Sequence, residues 1–140
     1  MTATRSTATG VPGYCETLRC EPKSVRRARG LVDTALQAWG LAPLAGDAAL
    51  VVTELGTNAV DHSRCRYMHV RISRLDNGRV RVAVTDRSFV RPVLRKPSQY
   101  DQNGRGLLLV EAPADCWGTD RRSFGKSVWA ELITEGESNP

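Results

Sequence analysis

The chain has 140 residues, of which 41% are hydrophobic and 25% are charged, so we expect one soluble domain with one core. No apolar run approaches the roughly 20 residues that span a bilayer, and the first residues lack the apolar segment of a secretory signal. The formal net charge is +5, but the basic residues are scattered and few aromatic residues lie among them, which argues against direct DNA binding. We therefore predict a cytoplasmic protein without a membrane partner, with flexible tails at residues 1–12 and 135–140 around a domain at 13–134.

The four cysteines do not have the spacing of a structural metal site. Cys15 and Cys20 are five residues apart in a predicted strand and so should face opposite sides of it. Without a secretory signal, reduced thiols are the expected state.

The first predicted elements are a short strand and two helices. Residues 13–20 are extended in character, and the segment from Pro22 to Gly40 repeats apolar residues at three- and four-residue steps, which predicts a helix. A second helix is predicted within residues 41–63. Its apolar stripe consists of Leu44, Ala48, Val51, Val52, Leu55 and Ala59.

The second half of the chain alternates apolar and polar residues in a way that predicts strands. Residues 66–75 and 79–86 flank the turn "DNG" and predict a hairpin with one buried face. A long loop and a short apolar helix should follow, and then a closing pair of strands. This order favours an α+β fold, a two-layer sandwich in which helices cover one face of a mixed, mostly antiparallel sheet.

Polar residues on the second helix suggest chemistry. Glu54, Asn58 and Asp61 follow steps of four and three, so they share one face, which Asp47 extends. A solvated polar face is the ordinary interpretation of such a pattern. However, Asn is a poor helix former, its amide oxygen suits Mg²⁺, and a carboxylate one turn away could accept a proton.

Three further positions are weaker signals when taken alone. Asp86 ends a predicted strand and could accept a hydrogen bond from an exocyclic amine, although a turn residue is the alternative. Gly104 and Gly106 precede an apolar helix, where backbone N–H groups bind anions, although a helix-initiating turn has the same pattern. Lys126 or Ser127 could reach a phosphate, although a strand start is the simpler interpretation.

The order of these motifs resembles the histidine-kinase-like (GHKL) ATPase superfamily, which includes gyrase, histidine kinases and MutL. The carrying motifs are "ELGTNAVDHS", "VTDRS", "GRGLLLVEAPADCWG" and "GKSVWAEL", and the resemblance spans about residues 14–134. More narrowly, the chain resembles the small anti-sigma-factor serine kinases and their stand-alone actinobacterial relatives. The resemblance implies a Bergerat-type ATP-binding fold with ATP and Mg²⁺ as cofactors.

The resemblance also implies roles for individual residues. Asn58 would bind the Mg²⁺ that bridges the phosphates, Glu54 would be the general base, and Asp86 would accept the adenine amine. Residues 89–103 would form the ATP lid. The other residues expected at the nucleotide are Ser88, Gly104, Arg105, Gly106, Leu107 and Ser127, the last near adenine or its bridging water.

One position departs from the family pattern. The pattern at the adenine site is Asp-x-Gly, whereas this chain has Asp86-Arg87-Ser88. Ser88 adds bulk where the chain should approach the base, which favours weaker nucleotide binding.

The resemblance implies an anti-sigma factor that phosphorylates a Ser or Thr on an anti-anti-sigma factor of the STAS type and so controls a sigma factor. Such proteins are commonly homodimers. Two alternatives stay open: a binding module with the same partners but no useful kinase activity, and an adaptor that shares only the fold and binds no nucleotide.

Overall fold

The computed structural model describes residues 3–6, 12–62, 66–86, 114–122 and 125–134. These residues form six strands and two helices, with a short 3-10 turn at Ala42–Leu44 before the second helix. In chain order the elements are β1 (Ala3–Ser6), β2 (Pro12–Arg19), α1 (Lys23–Ala38), α2 (Ala45–His62), β3 (Tyr67–Asp76), β4 (Arg79–Asp86), β5 (Cys116–Arg122) and β6 (Gly125–Ile133). Neither helix of this described part is long and apolar enough to cross a membrane.

The strands form one sheet in the order β1-β2-β3-β4-β6-β5. Every neighbouring pair among the described strands is antiparallel, so these strands form an antiparallel rather than a mixed sheet. The predicted hairpin is confirmed, with Val70 of β3 opposite Val84 of β4. The edge strand β1 lies in the segment predicted to be a flexible tail, where the sequence pattern had not indicated a strand.

Both helices cover the same face of the sheet, which confirms the predicted α+β architecture. Helix α1 contacts β2 and β3, and α2 contacts β4 and β6. Alternate residues of the strands point toward the helices, and burial of these apolar side chains is the main stabilising term. The apolar stripe predicted for α2 is buried at every position, namely Leu44, Ala48, Val51, Val52, Leu55 and Ala59.

The predicted ends of α1 are also confirmed. Pro22 occupies its N-cap, and Gly40 follows its last turn with a φ of 72°, the left-handed conformation that favours glycine. Gly56 lies where α2 passes α1, because a Cβ added there would be 3.4 Å from Val25 Cγ2. This glycine therefore belongs to the contact between the two helices.

The opposite face of the sheet carries a paired acidic residue. Glu131 accepts hydrogen bonds from Arg79 Nε at 3.1 Å and from Arg81 Nε at 2.8 Å. Burial alone would raise the pKa of Glu131, but the hydrogen bonds and charges of these two arginines outweigh it and hold that pKa below 4.5. The Arg81 guanidinium also stacks 4.2 Å from the ring centroid of Trp129, which lies over Gly118.

Candidate functional site

A pocket lies between the second half of α2 and the adjoining ends of β4 and β6. The volume that the centre of a water-sized sphere can occupy in it is about 10 Å³. Its lining residues are Leu55, Asn58, Ala59, His62, Val84, Asp86, Lys126 and Val128. The structure thus brings together two of the predicted site residues, Asn58 and Asp86, from elements that are far apart in sequence.

Asp86 and Lys126 form a buried ion pair within this pocket. They are opposite each other in the antiparallel β4–β6 pairing, so their side chains lie on the same face of the sheet. Lys126 Nζ is 3.2 Å from both carboxylate oxygens of Asp86, and the two side chains are 6% and 3% exposed. Because a carboxylate can accept several hydrogen bonds, this pairing leaves Asp86 able to accept one from a ligand.

Asn58 has the properties of a residue kept for a ligand. It is half-buried in the second half of α2, and its amide hydrogen-bonds to no other residue in the described part of the chain. An Asn in that position weakens a helix slightly relative to Ala. Its amide oxygen is a hard, neutral donor of the type that Mg²⁺ accepts, so this side chain fits the predicted metal.

Glu54 lies one turn before Asn58 but does not line the pocket. Its side chain is partly buried, and this desolvation raises the pKa of the carboxyl group above 4.5. No ion pair or hydrogen bond with another described residue compensates for that burial. A carboxylate with a raised pKa is a stronger base, which suits the predicted role in proton transfer.

Another acidic residue of the predicted polar face lies elsewhere. Asp61 is exposed and lines a separate groove of about 430 Å³ between the outer surfaces of α1 and α2. The polar face of α2 is therefore divided, with Asn58 at the pocket and Asp61 at this groove.

Ser127, expected at the nucleotide, does not line the pocket. Ser127 is opposite Thr85 in the β4–β6 pairing, and the Thr85 hydroxyl donates a 3.0 Å hydrogen bond to Ser127 Oγ. Because side chains alternate along a strand, this places Ser127 on the face of the sheet turned away from Asp86 and the pocket. Ser127 is 2% exposed, so its hydroxyl is a buried part of the sheet rather than a residue of the pocket.

Lys126 takes the place in the pocket that was expected for Ser127. The signal was present in the sequence, because Lys126 continues the alternation of the buried residues Val128, Ala130 and Leu132. His62, at the end of α2, also lines the pocket. Its spacing of four from Asn58 placed it on the same side of α2.

The other predicted nucleotide contacts are not described by the structure. The predicted lid, residues 89–103, lies outside the described residues and stays a prediction. The same holds for Ser88, Gly104, Arg105, Gly106 and Leu107.

Mg²⁺ bound here would depend on the nucleotide for much of its coordination. Among the described residues, no three His, Cys, Asp or Glu side chains converge as a metal site. Mg²⁺ is commonly held by one or two protein ligands together with substrate phosphates and water. A single amide from Asn58 at the edge of this pocket fits that mode of binding.

Comparisons with known proteins give the family of the domain. A family model described as a histidine kinase-like ATPase domain matches residues 18–131, a range that contains Asn58, Asp86 and Lys126. An uncharacterized protein of Streptomyces coelicolor is 39% identical over 87 residues, which cover 60% of this chain and 83% of that protein. The family match supports ATP binding as the activity of the domain.

Proposed function

Because the chain belongs to the family of histidine kinase-like ATPase domains, we propose that it is an ATP- and Mg²⁺-dependent protein serine/threonine kinase. Its proposed substrate is an anti-anti-sigma factor of the STAS type, and its second partner is a sigma factor in the cytoplasm. The observation that supports this proposal best is the meeting of Asn58 and Asp86 in one pocket. Phosphorylation of the antagonist would release it and leave the sigma factor bound.

Two residues of the pocket would orient the nucleotide. Asp86 would accept a hydrogen bond from the exocyclic amine of adenine, and Asn58 would hold the Mg²⁺ with its amide oxygen. The metal ion supplies charge stabilisation for the phosphoryl group during transfer. Since phosphoryl transfer needs positioning more than covalent chemistry, two well-placed side chains on rigid elements supply much of what is required.

Glu54 would handle the proton of the reaction. The serine hydroxyl of the partner gives its proton to the Glu54 carboxylate as its oxygen bonds to the γ-phosphorus. The bond between the γ-phosphorus and the bridging oxygen breaks, and ADP leaves with that oxygen. Burial raises the pKa of Glu54, and so makes its carboxylate a better proton acceptor at neutral pH.

A binding module without useful kinase activity is the second candidate. Ser88 replaces the glycine of the Asp-x-Gly pattern, and Glu54 lies outside the lining of the pocket. In this alternative the chain would still bind the sigma factor and its antagonist, but phosphorylation would not switch the partners.

A phosphotransfer assay separates the two candidates. The purified chain is mixed with radiolabelled Mg–ATP and an anti-anti-sigma factor of the STAS type, and label on the partner is measured. We expect transfer by the native chain and a loss of about 100-fold or more in Glu54→Gln, which removes the base but retains the shape of the side chain. Asp47→Asn, an acidic residue in the first turn of the same helix, is the matched control.

The outcomes distinguish the hypotheses. ATP binding without transfer by the native chain would favour the binding module. Undiminished transfer in Glu54→Gln would assign the base to another residue. Absence of ATP binding by the native chain at millimolar concentration would refute the proposal.

A further inference from the structure

We propose that Lys126 is a second residue that reads the adenine base, by donating a hydrogen bond to ring nitrogen N1. Asp86 would accept from the neighbouring N6 amine at the same time. This inference rests on the proposed ATP binding, and it adds a contact that neither the sequence pattern nor the family description assigns.

The geometry places a donor beside an acceptor at the wall of one pocket. Lys126 Nζ contacts both oxygens of Asp86 at 3.2 Å, and both residues line the same pocket as Asn58. An ammonium group has three N–H donors, so two contacts to Asp86 leave a third for a ligand. The β4–β6 pairing fixes the two side chains as direct neighbours on a rigid sheet.

The edge of adenine has the complementary pattern. Its N6 amine is a donor, and the adjacent ring nitrogen N1 is an acceptor, so the edge matches a carboxylate placed beside an ammonium group. Enzymes that hold a single base commonly read this edge by hydrogen bonds. Contacts that involve a charged partner are stronger than those between neutral groups, which makes both contacts effective in discrimination.

The ion pair also explains how Asp86, which would contact the adenine base, can be buried and charged before the nucleotide binds. A buried carboxylate without a partner is strongly unfavourable, and Lys126 neutralises Asp86 within the apolar surroundings formed by Val84 and Val128. A hydroxyl residue at position 126 would carry no positive charge to offset that of the Asp86 carboxylate. The lysine therefore keeps the recognition group in place and contributes a contact of its own.

The competing possibility is that Lys126 closes the base site. In that case adenine would have to displace the ammonium group from Asp86, and the lysine would weaken binding. The two possibilities predict opposite effects of removing either the N1 acceptor or the lysine.

Nucleotide analogues test the inference on the native protein. Calorimetric titration with Mg–ATP is compared with 1-deaza-ATP, in which a C–H group replaces N1, and with purine riboside triphosphate, which lacks the N6 amine. We expect each analogue to bind about tenfold more weakly or worse, because each loses one charge-assisted hydrogen bond. Equal affinities for ATP and 1-deaza-ATP would overturn the inference while leaving the proposed ATP binding intact.

A variant and its matched control locate the effect on one side chain. Lys126→Thr should bind ATP and 1-deaza-ATP equally, since the partner of N1 is gone. Lys23→Thr makes the same substitution at an exposed lysine at the start of α1, outside the lining of the pocket, and should discriminate like the native chain. If Lys126→Thr does not fold, the comparison of analogues on the native chain decides.

Two further outcomes would overturn the inference. Tighter ATP binding by folded Lys126→Thr would show that the ion pair obstructs the base. No binding of any nucleotide by the native chain would refute both the inference and the proposed function.

Discussion

Asn58→Ala should separate function from stability more cleanly than any other substitution in the pocket. The Asn58 amide makes no hydrogen bond within the described part of the chain, so its removal breaks no hydrogen bond there. Alanine is a better helix former than Asn by up to about 0.7 kcal/mol. We therefore expect the free energy of unfolding to stay the same or to rise by a few tenths of a kcal/mol.

The same substitution should weaken Mg²⁺-dependent nucleotide binding. The variant loses the amide oxygen proposed to hold the metal, a contact with a charged group worth about 1.5–3 kcal/mol. That range corresponds to a dissociation constant roughly 10- to 150-fold larger. Titration with ATP in the presence and absence of Mg²⁺ measures it, and the gain in affinity that Mg²⁺ gives the native chain should disappear.

Thr57→Ala is the matched control for this experiment. Thr57 is the adjacent residue of α2 and is also half-buried, but it lines the groove between α1 and α2 instead of the pocket. Its removal should leave the Mg²⁺ dependence unchanged. If Asn58→Ala retains tight, Mg²⁺-dependent ATP binding, the assignment of the metal ligand is wrong.

Four other predictions concern two acidic residues and one glycine. The phosphotransfer rate should rise with pH through the raised pKa of Glu54, because only the carboxylate accepts a proton; a pH–rate profile measures this, and a flat profile would contradict the assigned base. Burial makes the ionised form of Glu54 unfavourable in the folded protein, so the stability that protonated Glu54 contributes is lost as the pH rises through its raised pKa. Glu54→Gln, which stays uncharged, should therefore raise the melting temperature at neutral pH. Glu131→Gln should lower stability by about 1–3 kcal/mol at neutral pH. The difference in stability between the native chain and this variant should shrink as the pH falls through the lowered pKa of Glu131, below 4.5. Urea unfolding at several pH values measures it. A difference that stays constant with pH would show that the ion pairs are unimportant. Gly118→Ala should lower the free energy of unfolding by about 1–3 kcal/mol, because the added Cβ would lie 2.8 Å from Trp129 Cζ2. Gly46→Ala is the control, because a Cβ added there meets nothing within 4 Å and should not destabilise α2. Equal melting temperatures for the two variants would contradict this prediction.

The sequence predicted the elements well because burial follows their periods. The stripe of α2 and the alternation of Val80, Val82 and Val84 each describe a surface that has to face a core, and each is buried in the structure. The end of α1 could also be predicted, because glycine is the usual residue where a helix ends in a left-handed conformation, and Gly40 has a positive φ. The strand β1 was missed because its residues, "ATRS", show neither apolar alternation nor a turn signal.

The site was predicted less completely, because a motif names residues but not the face of the sheet on which they lie. The motif "GKSVWAEL" identified the correct strand, yet Ser127 was chosen over Lys126 by resemblance rather than by alternation. A shift of one residue along a strand moves a side chain to the other face of the sheet. The pairing of Asp86 with Lys126 depends on the β4–β6 register, which no local pattern specifies.

Two glutamates of this chain show how surroundings separate a structural acid from a reactive one. Glu131 is buried, but two arginines pair with it, and its pKa falls; the ionised group is what the fold requires. Glu54 is partly buried without such a partner among the described residues, and its pKa rises, so the fold holds it in an unfavourable environment. A residue kept at a cost to stability is best explained by what it does for a ligand, which is why Glu54 is expected to be a base.

Asp86 lies between these two cases. It is buried and paired, as Glu131 is, but its partner Lys126 lies with it at the wall of a pocket rather than within a network on the outer face of the sheet. Stability measurements alone cannot separate its two roles, because removing either partner leaves a buried charge and weakens the fold in both cases. Only a change in the ligand, such as the loss of N1 from adenine, alters recognition and leaves the ion pair intact.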